Sequence, residues 1–139
     1  MPEAHVRVVE RDAVRVAWRV PAIAEAARLA RWLVRRKVAE WGGDAEAGYT
    51  AGLLASELVT NAVVHAGGDA LTLVVARADG GLRVEVHDRG RGEPALRRAD
   101  GTAEQGRGLL VVDALSTAWG HALTPTGKVV WFELAGCVR

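Results

Sequence analysis

Between Leu53 and Ala66 an acid, an amide and an imidazole recur every fourth residue: Glu57, Asn61 and His65. Positions four apart stack on one helix face, so a helix through this stretch lines the three up in a row. Leu53, Leu54, Leu58, Val59, Ala62 and Val63 surround that row with hydrocarbon. An unmatched buried amide or hydroxyl costs about 2–7 kcal/mol, so a row of this kind has to face groups that satisfy it. Those groups belong either to a structural network within the protein or to a ligand.

The rest of the chain supplies the frame. Residues 13–20 alternate, with Val14, Val16, Trp18 and Val20 on one side and Arg15 and Arg19 on the other, which predicts a strand. Pro21 suits the first turn of a helix, and Ile23, Ala27, Ala30, Val34, Val38 and Trp41 follow at helical spacing up to Gly42-Gly43. Asp44 is placed to cap a second helix over 45–66, closed by Gly67-Gly68. A strand over 71–77, a turn at Asp79-Gly80-Gly81 and a strand over 82–88 read as a hairpin, with Leu82, Val84 and Val86 pointing inward. Residues 88–105 are irregular. A helix then opens at Gly106-Arg107-Gly108, and strands near 117–123 and 128–134 flank a turn at 124–127. Residues 1–12 show no usable period. The order β-α-α-β-β-α-β-β predicts an α+β two-layer sandwich: a mixed, mostly antiparallel sheet with helices on one face. With 139 residues, half of them hydrophobic, one domain over 1–139 is expected.

Composition narrows the function. No apolar run approaches the roughly 20 residues that span a bilayer, and Met1–Arg7 lacks the apolar core of a signal peptide. Cys137 is the only cysteine, so neither a disulfide nor a cysteine–zinc cluster is available, and a cytoplasmic location is expected. A net charge of +1 is too balanced for direct nucleic-acid binding. Against that background two short motifs carry chemistry. Asp88 ends a strand and enters Gly90-x-Gly92, where a carboxylate can accept from an exocyclic amine and glycines let a flat ring approach the backbone. Gly106-x-Gly108-Leu109, opening a helix, offers free amides and a helix dipole to phosphate.

In their order and separation these stretches resemble the Bergerat-fold ATP-binding superfamily of gyrase, heat-shock chaperones, histidine kinases and mismatch-repair ATPases. Residues 57–66 resemble its N box, Asp88-Arg89-Gly90-Arg91-Gly92 its G1 box and Gly106-Arg107-Gly108-Leu109 its G2 box. The compact layout, over about residues 13–135, is similar to the anti-sigma-factor serine kinases and their stand-alone actinobacterial relatives. That resemblance implies ATP and Mg2+ as ligands. It assigns Mg2+ to the Asn61 amide oxygen, the adenine amine to Asp88, and the base to Gly90 and Gly92. The phosphates fall to Gly106, Arg107, Gly108 and Leu109. Glu57 becomes the general base toward a serine hydroxyl or water, and His65, at a position where the family varies, closes the row by hydrogen bonding, with contact to the ATP as the alternative. It further implies a sigma factor and an anti-anti-sigma antagonist as partners, and a homodimer surface on the first strand and helix. The short lid between Gly92 and Gly106 fits the small kinases and carries Arg97 and Arg98 as phosphate partners. Val129 stands where relatives carry an adenine-holding threonine. The alternative activity is a nucleotide-gated regulator that holds a partner without transferring phosphate. A detached histidine-kinase catalytic domain and a nucleotide-free structural domain fit the same boxes less well.

Overall fold

The computed structural model describes residues 6–65, 69–90 and 104–139, with the side chains of 104–107 excepted. Nine elements follow in chain order: β1 (Arg7–Arg11), β2 (Arg15–Pro21), α1 (Ala26–Glu40), α2 (Ala45–His65), β3 (Ala70–Ala78), β4 (Gly81–Asp88), α3 (Glu104–Leu115), β5 (Ala118–Thr124) and β6 (Gly127–Leu134). The six strands form one sheet in the order β1-β2-β3-β4-β6-β5, and every ladder in it is antiparallel. The sheet is therefore not mixed. The α+β architecture, with the helices on one face, is as the pattern predicts.

Alternation makes the sheet two-sided. Val16, Trp18 and Val20 lie opposite Val75, Leu73 and Leu71, and Leu73 and Val75 in turn face Val86 and Val84. Val84, Val86 and Asp88 then meet Phe132, Val130 and Lys128 on β6. All of these are buried, and the apolar ones form a common core with Leu29, Val34 and Val38 of α1, Leu54 and Leu58 of α2, and Leu109 and Val112 of α3. The opposite face is polar. On it Arg83 pairs with Glu85 at 2.7 Å and with Glu133 at 2.8 Å, and His87 contacts Glu85 at 2.8 Å. The His87 hydrogen bond, reinforced by Arg83, holds the Glu85 carboxyl at about 2 despite the opposing effect of burial.

Local chemistry explains the connections. The Asp44 carboxylate accepts from the Ala47 amide at 2.8 Å, which caps α2 as expected. Asp79 and Gly80 both take positive φ, 54° and 78°, the twist that a two-residue hairpin requires. Small residues let α1 and α2 approach closely: a Cβ on Gly52 would stand 2.8 Å from Arg35 Cγ. Three details differ from the sequence pattern. Strand β1 lies within the stretch that lacked a period, because all five of its residues are exposed and neither face is selected for hydrocarbon. Pro21 ends β2 rather than opening α1, and Ile23 is exposed. Helix α3 starts at Glu104, two residues before Gly106.

Candidate functional site

Helix α2 and the β4–β6 ladder position the polar groups. Asn61 lies on α2 with only 2% of its surface exposed, and among the described residues neither its amide nitrogen nor its carbonyl oxygen has a hydrogen-bond partner. Leaving a buried amide unmatched costs about 1–3 kcal/mol, which a fold tolerates when a ligand supplies the missing bonds. Glu57 and His65, one turn to either side, are half-buried, so the row runs from Asn61 at its centre toward solvent at both ends. The neighbouring Ser56 donates to the Leu53 carbonyl at 2.7 Å and accepts from Arg31 at 3.1 Å, which ties α2 to α1.

Asp88 continues the inward series of Leu82, Val84 and Val86, and this parity turns a carboxylate into the helix-covered face. It is 6% exposed. Its Oδ1 accepts from the Gly90 amide at 2.6 Å, while its Oδ2 is buried without a partner among the described residues. Burial pushes the Asp88 carboxyl above the ordinary aspartate range. The positive charge of Lys128, the Gly90 amide and His87 act in the opposite direction. The site therefore holds one buried acceptor oxygen that the protein leaves unused, beside the Gly90 backbone.

Two residues of this corner were not singled out by motif. Lys128, only 2% exposed, sits directly opposite Asp88 in the ladder on the same inward face. Gly127, one residue earlier, packs onto the Asp88 backbone so closely that a Cβ would overlap the Asp88 carbonyl oxygen and lie 2.6 Å from Arg89 Cα. Parity was the available signal: Lys128 alternates in step with Val130 and Phe132, as Asp88 does with Val86 and Val84. Val129 pairs with His87 and shares the outer face, so the β6 side chain beside Asp88 is Lys128 rather than Val129.

Helix α3 completes the arrangement. A Cβ on Gly108 would stand 3.4 Å from the Glu57 carboxylate, so the start of α3 lies against the end of the polar row. Leu109 is fully buried and anchors the helix in the core. Because α3 begins at Glu104, Gly106 and Arg107 fall among the first four positions, whose amides have no acceptor within the helix, and Gly108 and Leu109 follow them. Gly92, Arg97 and Arg98, and the pair Gly67-Gly68, lie outside the described residues. Among the described residues no group of three or more histidine, cysteine or acidic side chains forms a metal cage. The donor set still suits Mg2+, which keeps several waters and accepts a single amide oxygen from the protein. Asn61 has that oxygen buried and unused.

The chain is similar in sequence and fold to known proteins. The crystal structure of the RsbU and RsbW domains of a Mycobacterium tuberculosis protein matches with a TM-score of 0.66 and 25% identity, covering 86% of this chain and 32% of that one. The histidine kinase domain of a blue-light-activated histidine kinase from Erythrobacter litoralis matches with a TM-score of 0.50 and 25% identity, covering 83% of this chain and 61% of that one. The chain thus spans about a third of the first protein and three fifths of the second. No curated protein matches it. The family of histidine kinase-like ATPase domains matches residues 20–134. That span holds α2, the β4–β6 ladder and α3 together, and the chain belongs to the histidine kinase-like ATPase domain family.

Proposed function

We propose that the protein is an ATP-dependent protein serine/threonine kinase of the anti-sigma type, which phosphorylates a small antagonist protein and sequesters a sigma factor. One observation carries the reading. Asn61 on α2 and Asp88 at the end of β4 are both buried, and both present side-chain atoms without partners. Family membership supports an ATP-binding regulatory role, and the RsbW domain of the first structural neighbour supports partner-switching control. The sigma factor, the antagonist and the serine specificity go beyond those similarities.

In this reading Asp88 Oδ2 accepts from the adenine amine, and the Gly90 turn lets the base lie against backbone. Asn61 holds Mg2+ through its amide oxygen, and the ion neutralises phosphate charge when bound. Gly106 and Arg107 turn first-turn amides toward the phosphates, while Gly108 keeps the space beside Glu57 free of a side chain. Glu57 takes the proton of the attacking serine hydroxyl. The new bond joins that oxygen to the γ-phosphorus, the bond to the β–γ bridging oxygen breaks, and ADP leaves. His65 closes the polar row at its outer end.

Incubation with Mg2+, labelled ATP and a cognate small antagonist protein tests the proposal. Label is expected on the antagonist's serine, and Glu57→Ala is expected to reduce the rate by about 10²–10⁴-fold while leaving ATP affinity within a few-fold. Transfer that survives Glu57→Ala, or nucleotide binding with no transfer at all, rejects the kinase. The second of these outcomes leaves a nucleotide-gated binding protein.

A further inference from the structure

A lysine is almost never fully buried unless it is paired. Lys128 is among the largest fully buried side chains, and it shares a ladder position and a sheet face with the buried Asp88. No apolar strand needs a lysine there: Val130 and Phe132, the next two residues on that face, are ordinary core residues. We infer that Lys128 is a positioning residue for nucleotide binding, its buried positive charge holding the Asp88 carboxylate as an anion ready to accept from the base. The inference rests on the assignment of Asp88 to a nucleotide.

Three observations support it. Lys128 is the foremost of the groups that oppose the effect of burial on Asp88. Gly127 fixes the backbone relation of the two strands, because any side chain there collides with Asp88. The Gly90 amide occupies Oδ1, so the anion's remaining acceptor is the unpartnered Oδ2. A protonated Asp88 would carry a hydrogen on one of these oxygens and lose acceptor capacity where the amine has to dock. Besides Lys128, the titratable and charged groups to consider are His87 and Arg89 on either side of Asp88 in the chain and, on α2 packed against β4 and β6, Glu57 and His65. These are unchanged by substitution at Lys128 and cancel in a comparison of variants.

The test measures ADP affinity without metal as a function of pH for the wild type, Lys128→Met and Lys128→Arg. Binding is lost as pH falls and Asp88 takes up its proton. Removing the cation raises that midpoint, by about one pH unit in Lys128→Met. Below the wild-type midpoint the methionine variant binds about tenfold more weakly, well above both midpoints it binds like the wild type, and Lys128→Arg restores the wild-type profile. Lys128→Gln serves if the methionine variant does not fold, and the same displacement is expected of it. A variant weakened equally at every pH, or not weakened, overturns the inference in favour of a structural lysine. A wild type that binds no ADP at any pH overturns the nucleotide assignment itself.

Discussion

Asp88 is a liability to the fold on its own. Its Oδ2 is buried without a hydrogen bond, and burial disfavours its charged form. With the folded carboxyl raised above its unfolded value, its contribution to stability is greatest at low pH and is lost as pH rises through the folded value. At neutral pH the protein therefore keeps an aspartate there at a cost in stability, which fits a ligand site better than a structural one. Gly127 holds the corner together. Gly127→Ala places a methyl against the Asp88 carbonyl, and a loss of at least about 2 kcal/mol is expected. Chemical denaturation would measure it, and a change under about 0.5 kcal/mol would show that the contact relaxes freely. Motif reading found Asp88 but not Lys128, because a lone lysine in an apolar strand carries no signature until its register is known.

Helix α2 determines where the site forms, and its start is chemically defined. The Asp44 cap on the Ala47 amide sets the first turn, so removing it weakens the element that carries Asn61 and Glu57. Asp44→Ala is expected to cost about 1 kcal/mol, read as a shift in the denaturation midpoint. An unchanged midpoint would mean that packing against α1 alone holds the helix end. The long elements were legible because burial imposes period: β2, α2 and the β3–β4 hairpin each alternate or recur as their buried faces demand. Strand β1 was not, since an edge strand exposed on both faces obeys only its ladder with β2. Pro21 was misleading for a related reason. A proline suits both a helix start and the end of a strand, and the pairing of β2 with β3 runs through it to Ala70.

At the scale of the molecule, the sheet separates two tasks. One face is sealed by α1, α2 and α3 over an apolar core, and among the described residues the buried polar side chains are Ser56 and Asn61 on α2, Asp88 on β4 and Lys128 on β6. The other face is closed by a charged network around Arg83, Glu85 and Glu133, with Arg83 lying 4.2 Å over the Trp131 ring. Among the described residues no helix is long and apolar enough to cross a membrane. Asn61, Asp88 and Lys128 thus lie on elements that pack together, α2 against β4 and β6, within the span the family matches, and this is where the proposed nucleotide site lies. Calorimetric titration of ATP with Mg2+ into the wild type and Asp88→Asn tests this most directly. Saturable binding by the wild type and at least about a tenfold loss in the variant are predicted, since the amide replaces a charged acceptor. Absence of binding in the wild type, or equal affinity in both proteins, would contradict it.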